Sequence, residues 1–269
     1  MSSRLEWYFT FLKNDPMGFV VYALYFCVVV LSSLILHECA HGYVAYKCGD
    51  PTAKMMGRLS LKPSHHLDPL GTVCMFFLGF GWAKPVPVNP YNFRNYRRDD
   101  FFVSIAGICT NLALFLVCSL LSVVVNHFMW DAEFISYFHG VAGSLEPMLN
   151  PGYQFAYNIM SGSVEPVFAS SLAQPWLVYV QRFLLMMAQV NLSLAIFNLL
   201  PIPPLDGYHL INDTLLKGKL QLDRRAFSIC QIVLIVLCLS GALSGILSFL
   251  NRNIYSGVVR FFLLITGGA

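Results

Sequence analysis

The stretch MGFVVYALYFCVVVLSSLIL, residues 17–36, runs directly into HECAHGYVAYK, residues 37–47. Twenty residues without a charge suffice to cross a hydrocarbon core of about 30 Å as an α-helix. The apolar character continues past Gly42 to Tyr46, so His37, Glu38 and His41 are expected roughly one to three helical turns below the membrane surface. Ionisable groups are costly at that depth, and their presence points to function. On a helix, residues four apart share a face about 6 Å along the axis, which lets the two imidazoles converge on one metal ion. Glu38 lies beside them, free for proton transfer. In this His-Glu-x-x-His pattern the histidines bind Zn²⁺ and the glutamate activates water.

The composition agrees with a membrane setting. Of 269 residues, 57% are hydrophobic and 12% charged, and the mean hydropathy is +0.61; the charge content is about half that of an average soluble protein. The net charge of +3 says little about partners, and nucleic acid is not expected among them. Eight cysteines are scattered without a C-x-x-C pair and read as reduced packing residues. Cys39 falls off the metal-facing stripe and is not taken as a ligand. The mixed-charge start (Arg4, Glu6, Lys13, Asp15) and an apolar run of about 30 residues without a small-residue cleavage site read as retained sequence, not a signal peptide.

Charge placement orients the chain. Lys47, Lys54, Arg58 and Lys62, then Lys84, Arg94, Arg97 and Arg98, mark two segments as cytoplasmic by the positive-inside rule. The apolar stretch between them, residues 70–83, is too short to span, has both flanks on one side, and is expected to be re-entrant. Val86-Pro87-Val88-Asn89-Pro90 reads as extended, because paired prolines exclude helix. Further spans are expected at about 101–126, 176–200 and 226–250, with the first at 17–46. Residues 127–175 contain no Lys or Arg and read as an external loop. Residues 254–265 are too few to span and read as interfacial or half-inserted. No repeat or soluble domain appears. The expectation is a single all-α domain over 1–269: a polytopic transmembrane helix bundle with a re-entrant or extended segment near the cytoplasmic side.

A catalytic zinc keeps three protein ligands and one open position. Candidates for the third are Asp206, His209, His65 and His66. Asp206 is favoured, because Pro201-Ile202-Pro203-Pro204 leaves it on irregular backbone at membrane depth, tolerated where it lines a cavity. The competing role for Asp206 is an N-cap for the helix that follows. A carboxylate-bridged di-iron site would need a second Glu-x-x-His, and no other glutamate supplies one.

Taken together, His37-Glu38-Cys39-Ala40-His41-Gly42, His66-Leu67-Asp68-Pro69-Leu70-Gly71, Gly107-Ile108-Cys109-Thr110-Asn111, and Asn198-Leu199-Leu200-Pro201 running on to Asp206-Gly207 resemble the site-2 protease family of intramembrane zinc metalloproteases, in its compact bacterial form without a PDZ domain. The external segment of about 49 residues is too short for such an insertion. The resemblance implies one zinc per chain held by His37, His41 and Asp206, with Glu38 as catalytic acid and base. It departs from the family pattern at Ile108, where proline is usual.

Asn111 and Asn198, each in an apolar span beside an irregular element, are read as donors to the scissile carbonyl or the substrate backbone, against helix-to-helix adhesion as the structural alternative. His66 and Asp68 are read as organising the cytoplasmic approach to the site. The extended 86–90 stretch could pair with an unwound substrate as an added strand, or make a plain turn. The activity this implies is cleavage of a transmembrane protein substrate in the lipid bilayer, near the cytoplasmic side of a bacterial cell membrane. A membrane metal transporter or a catalytically silent membrane chaperone would use the same residues differently. Substrate identity and oligomeric state are not legible.

Overall fold

Long apolar runs without an interior proline leave the backbone no partners in lipid but its own, so they close into helices. A computed structural model bears this out for residues 2–69, 71, 73–74, 83–162, 166–216, 220 and 222–267. The described residues are helical and contain no strand beyond one isolated bridge between Trp130 and Leu172. Helices Pro16–Cys48, Tyr96–Met129 and Leu177–Asn198 are long and apolar enough to cross a membrane. The expected re-entrant stretch, 70–83, lies almost wholly outside the described residues.

The end of the chain differs from expectation. The apolar run over 226–250 is two helices, Arg224–Ser240 and Ser244–Thr266, bent by 75° at the break. Gly241 makes the break: it sits at φ +74, the left-handed cap that stops a helix. The second helix is 23 residues long, where the sequence suggested a piece of about 12; its buried positions, Asn251, Tyr255, Val259 and Leu263, recur every four residues.

The chain divides into two compact units. The first comprises residues 1–10, 30–112 and 193–247. It contains the second half of helix Pro16–Cys48, the start of helix Tyr96–Met129 and the short helix Asp206–Thr214. Asp50, fully buried just beyond Cys48, ties this unit's irregular parts together. Its carboxylate accepts from Asn89 N–H at 2.7 Å, the Asn92 amide at 2.8 Å and Thr52 N–H at 3.1 Å. Burial pushes that carboxyl up, but these donors hold it below the usual carboxylate range. Lys84 N–H donates to the His66 carbonyl, and Arg58 donates to the carbonyls of Lys84 and Pro85. The extended segment after residue 83 is thereby fixed at several points.

The second unit comprises residues 11–29, 113–192 and 248–269. The stretch 127–175, read as an external loop, carries among its described residues the helices Ala132–Ala142 and Gln154–Ser161 and shorter turns. Trp130, Phe134, Phe138, Phe155 and Phe168 form its core, with ring centroids 4.7 to 6.3 Å apart. Buried Glu146 accepts from Arg260 Nε at 2.6 Å and from the Ser256 hydroxyl and Asn150 amide, so the Arg260 charge on helix Ser244–Thr266 is matched from within the unit.

Candidate metal centre

His37 and His41 lie on one face of helix Pro16–Cys48, both buried, with their Nε2 atoms 3.0 Å apart. Asp206 Oδ2 stands 3.4 Å from each. Ligand atoms held about 2.0–2.1 Å from a tetrahedral zinc are about 3.3 Å apart, so the three separations match one ion's coordination shell. Among the described residues this is the one group of three such side chains close enough to share an ion.

The hydrogen bonds around the triad support the same assignment. His41 Nδ1 donates to the Val103 carbonyl at 2.7 Å, which leaves Nε2 as the lone-pair nitrogen. His37 Nδ1 lies 3.2 Å from the Asn111 side-chain amide, and Asn111 is fully buried. With the amide nitrogen facing His37, Asn111 Oδ1 has no partner. Exchanging the amide's oxygen and nitrogen, a choice that the hydrogen-bond network decides, satisfies that oxygen and gives His37 the tautomer that binds metal through Nε2. Asp206 Oδ2 is buried without a hydrogen bond, since 3.4 Å is too long for one. Burial pushes the Asp206 carboxyl up, but the adjacent imidazoles pull it well below the usual carboxylate range. An anionic oxygen and two imidazole nitrogens, each otherwise unsatisfied, form a donor set suited to zinc.

Glycines decide how closely the elements approach. A Cβ at Gly107 would stand 2.4 Å from both His37 Cε1 and His41 Nε2, so only glycine lets helix Tyr96–Met129 pass over the imidazoles. A Cβ at Gly207 would meet the Leu199 carbonyl oxygen at 2.4 Å. Gly207 therefore lets the Asp206–Thr214 helix start against the end of the preceding one. The N-cap of that helix is Leu205, and Asp206 occupies the first helical position without capping it. Its side chain is left to the triad.

Glu38, one residue along from His37, is half-buried, and its Oε2 accepts the Val86 N–H at 2.8 Å. Gly42 makes room for that bond, because a Cβ there would lie 2.9 Å from Val86 Cγ1 and 2.6 Å from Leu59 Cδ2. The remaining sequence candidates lie outside the triad. The Asn198 amide donates to Leu194 O in its own helix. His66 is buried, with Nε2 donating to Ser60 O at 2.7 Å. Cys39 Sγ approaches that same carbonyl at 3.4 Å, on the side of the helix away from the triad. Asp68 accepts from Gly71 N–H, His65 Nδ1 engages the Ser60 hydroxyl, and His209 Nδ1 lies 3.6 Å from Asp100.

Val103, Val86 and the packing role of Gly107 were not predicted. Glycine within an apolar helix signals close approach, but a backbone carbonyl that orients a histidine leaves no mark in sequence.

Comparison with known proteins gives a consistent picture. The model of "Peptidase family M50" matches residues 25–241. The chain is 36% identical over 213 residues to "Putative zinc metalloprotease YwhC" of Bacillus subtilis (strain 168), covering 79% of each chain. It is 26% identical over 243 residues to "Putative zinc metalloprotease Rip2" of Mycobacterium tuberculosis (strain ATCC 25618 / H37Rv), covering 87% of this chain and 75% of that one. No solved structure matches it significantly.

Proposed function

The chain belongs to peptidase family M50, the site-2 protease family, and from that premise we propose that it is an intramembrane zinc endopeptidase cutting transmembrane or membrane-adjacent segments of other proteins near the cytoplasmic side. The observation that carries this reading is the convergence of His37 Nε2 and His41 Nε2, on a helix long and apolar enough to cross a membrane, with Asp206 Oδ2 of a second helix, all within 3.4 Å, and with Glu38 next in sequence to His37. The names of the relatives support zinc as the metal, and one group of three ligands is read as one ion per chain.

His37, His41 and Asp206 would hold the ion. When bound, it supplies Lewis acidity and lowers the pKa of water to about 7. Glu38 takes the proton of the attacking water on its carboxylate and returns it to the leaving amine. The Val86 N–H fixes one Glu38 oxygen and leaves the other for the proton. His41 is held by Val103 and His37 by Asn111, so neither ring needs to reorient during the reaction.

A substrate helix must unwind locally, because its carbonyls are engaged in intrachain hydrogen bonds. The extended segment before Pro90 suits pairing with the unwound strand. Its Val86 and Asn89 N–H groups are engaged by Glu38 and Asp50, and Pro85, Pro87 and Pro90 have none. Val88 offers the remaining donor.

The test is proteolysis by purified protein in lipid. Wild type is expected to cleave a membrane substrate in a chelator-sensitive manner and Glu38→Gln to bind zinc without cleaving. Cleavage by Glu38→Gln at the wild-type rate would overturn the assignment.

A further inference from the structure

Arg58 is one of the basic residues that mark the cytoplasmic face, yet its guanidinium does more than meet solvent. Its Nη2 donates to the Lys84 carbonyl at 3.0 Å and to the Pro85 carbonyl at 3.1 Å. The next amide, that of Val86, donates to Glu38 Oε2 at 2.8 Å. The Pro85 carbonyl and the Val86 N–H belong to one peptide group, which is planar and trans. Arg58 and Glu38 therefore hold opposite ends of the same plane, and fixing the oxygen fixes the direction of the N–H.

The grip supplies what the segment lacks by itself. Lys84 and Pro85 are exposed, so packing does not hold them. The proline ring locks the φ of Pro85 but leaves its ψ and the φ of Val86, the two torsions that turn this plane. Arg58 itself is firmly placed. Gly57, at φ +65, ends helix Thr52–Met55 in the left-handed conformation. The Gly57 and Arg58 N–H groups return to the carbonyls of Lys54 and Ala53 at 3.0 and 2.9 Å. Ala53 is fully buried.

We infer that Arg58 is a positioning residue for Glu38, acting through the peptide group between Pro85 and Val86. The inference rests on the reading of Glu38 as the group that moves the proton. A cation on the carbonyl polarises the peptide and strengthens its N–H as a donor to the carboxylate. One Glu38 oxygen is held by a donor that cannot rotate away, and the other stays free for the proton.

The test uses full-length zinc-loaded protein in a neutral detergent. Hydrogen exchange at the Val86 amide is expected to quicken about tenfold or more in Arg58→Met, with zinc content unchanged. Arg58→Gln is too short to reach the carbonyls and takes the place of Arg58→Met if that variant does not fold. Both bonds come from one nitrogen, so the ammonium of Arg58→Lys can supply them and should recover part of the protection. With labelled casein as an unfolded probe, kcat should fall about tenfold in Arg58→Met while KM changes by less than about twofold. The double variant carrying Arg58→Met and Val86→Pro should lose no more than Val86→Pro alone, because Arg58 acts through that peptide. Val86 exchange at the wild-type rate in Arg58→Met would overturn the proposal, as would losses from the two substitutions that multiply. Failure of wild type to cleave would count against the protease reading, and the exchange measurement would still decide the role of Arg58.

Discussion

Glu38 accepts the backbone N–H of Val86 at 2.8 Å, a bond that joins the helix of the metal ligands to an extended segment 48 residues away. A hydrogen bond to a charged group contributes about 1.5–3 kcal/mol, enough to decide which rotamer the carboxylate holds. Val86→Pro removes the donor and leaves the histidines untouched. Turnover is expected to fall roughly 10- to 100-fold with zinc stoichiometry unchanged, as measured by metal analysis beside a proteolysis assay. Loss of zinc in parallel would show instead that the segment supports the triad as a whole.

Gly107→Ala adds one methyl group and, on helix propensity alone, would stabilise helix Tyr96–Met129 by up to about 1 kcal/mol. The collision decides otherwise, because the new Cβ would lie 2.4 Å from His37 Cε1 and His41 Nε2. The imidazoles or the helix must move, and either displacement spoils the 3.0 and 3.4 Å separations of the ligand atoms. Zinc content after dialysis against a weak chelator should drop to near zero. A variant that retained the metal would show that the helix shifts without cost.

Asn111 contacts His37 where the sequence had suggested a donor to substrate. Second-shell partners of ligating histidines typically contribute 10- to 100-fold in metal affinity, so Asn111→Ala should weaken zinc binding by about that factor. Asn111→Asp distinguishes the orientation of the amide. A carboxylate can only accept, which suits a His37 Nδ1–H, so this variant should hold zinc at least as well as Asn111→Ala. If it binds far worse, Asn111 donates to the ring and His37 presents the other tautomer. Competition titration with a fluorescent zinc chelator reads both variants.

The triad was legible because two local rules sufficed to find it. A four-residue spacing puts His37 and His41 on one helical face, and the proline run ends the preceding helix ahead of Asp206, which the structure places at the first position of a new helix and not on irregular backbone. Its support was illegible because each partner is remote: Val103 lies 62 residues from His41, and Asn111 lies 74 from His37. The break at Gly241 was missed for a different reason. The apolar run passes straight through it, and hydropathy cannot register a 75° bend. The last helix was underestimated because Arg252 and Arg260 shorten its apolar run. Glu146, far back in the chain, matches Arg260 with an ion pair.

A second titratable group lies on helix Asp206–Thr214, away from the ligands. Asp213 faces Asp100, whose carboxylate also lies 3.6 Å from His209 Nδ1, with Arg97 nearby. Burial, then the adjacent Asp100 carboxyl, push the Asp213 carboxyl up to about 7, against the partial relief given by His209 and Arg97. The folded state therefore holds a proton on Asp213 that the unfolded chain releases near pH 3.8. Folding is favoured while that proton is present, so this contribution to stability is complete below about pH 4 and is lost as pH rises toward 7. His209 acts in the same direction. The adjacent Asp100 carboxylate raises its pKa, against burial, so its contribution is present below 6.5 and is lost as pH rises through the folded value. Asp213→Asn removes the carboxylate repulsion while keeping the shape. Relative to wild type it should be more stable at about pH 8, and the difference should fall toward zero near pH 4, its size limited by solvent screening of a half-exposed group. Thermal denaturation of both proteins across that range reads the difference directly, and the pH dependence of the metal ligands cancels between them. Parallel curves would show that Asp213 does not carry the proton.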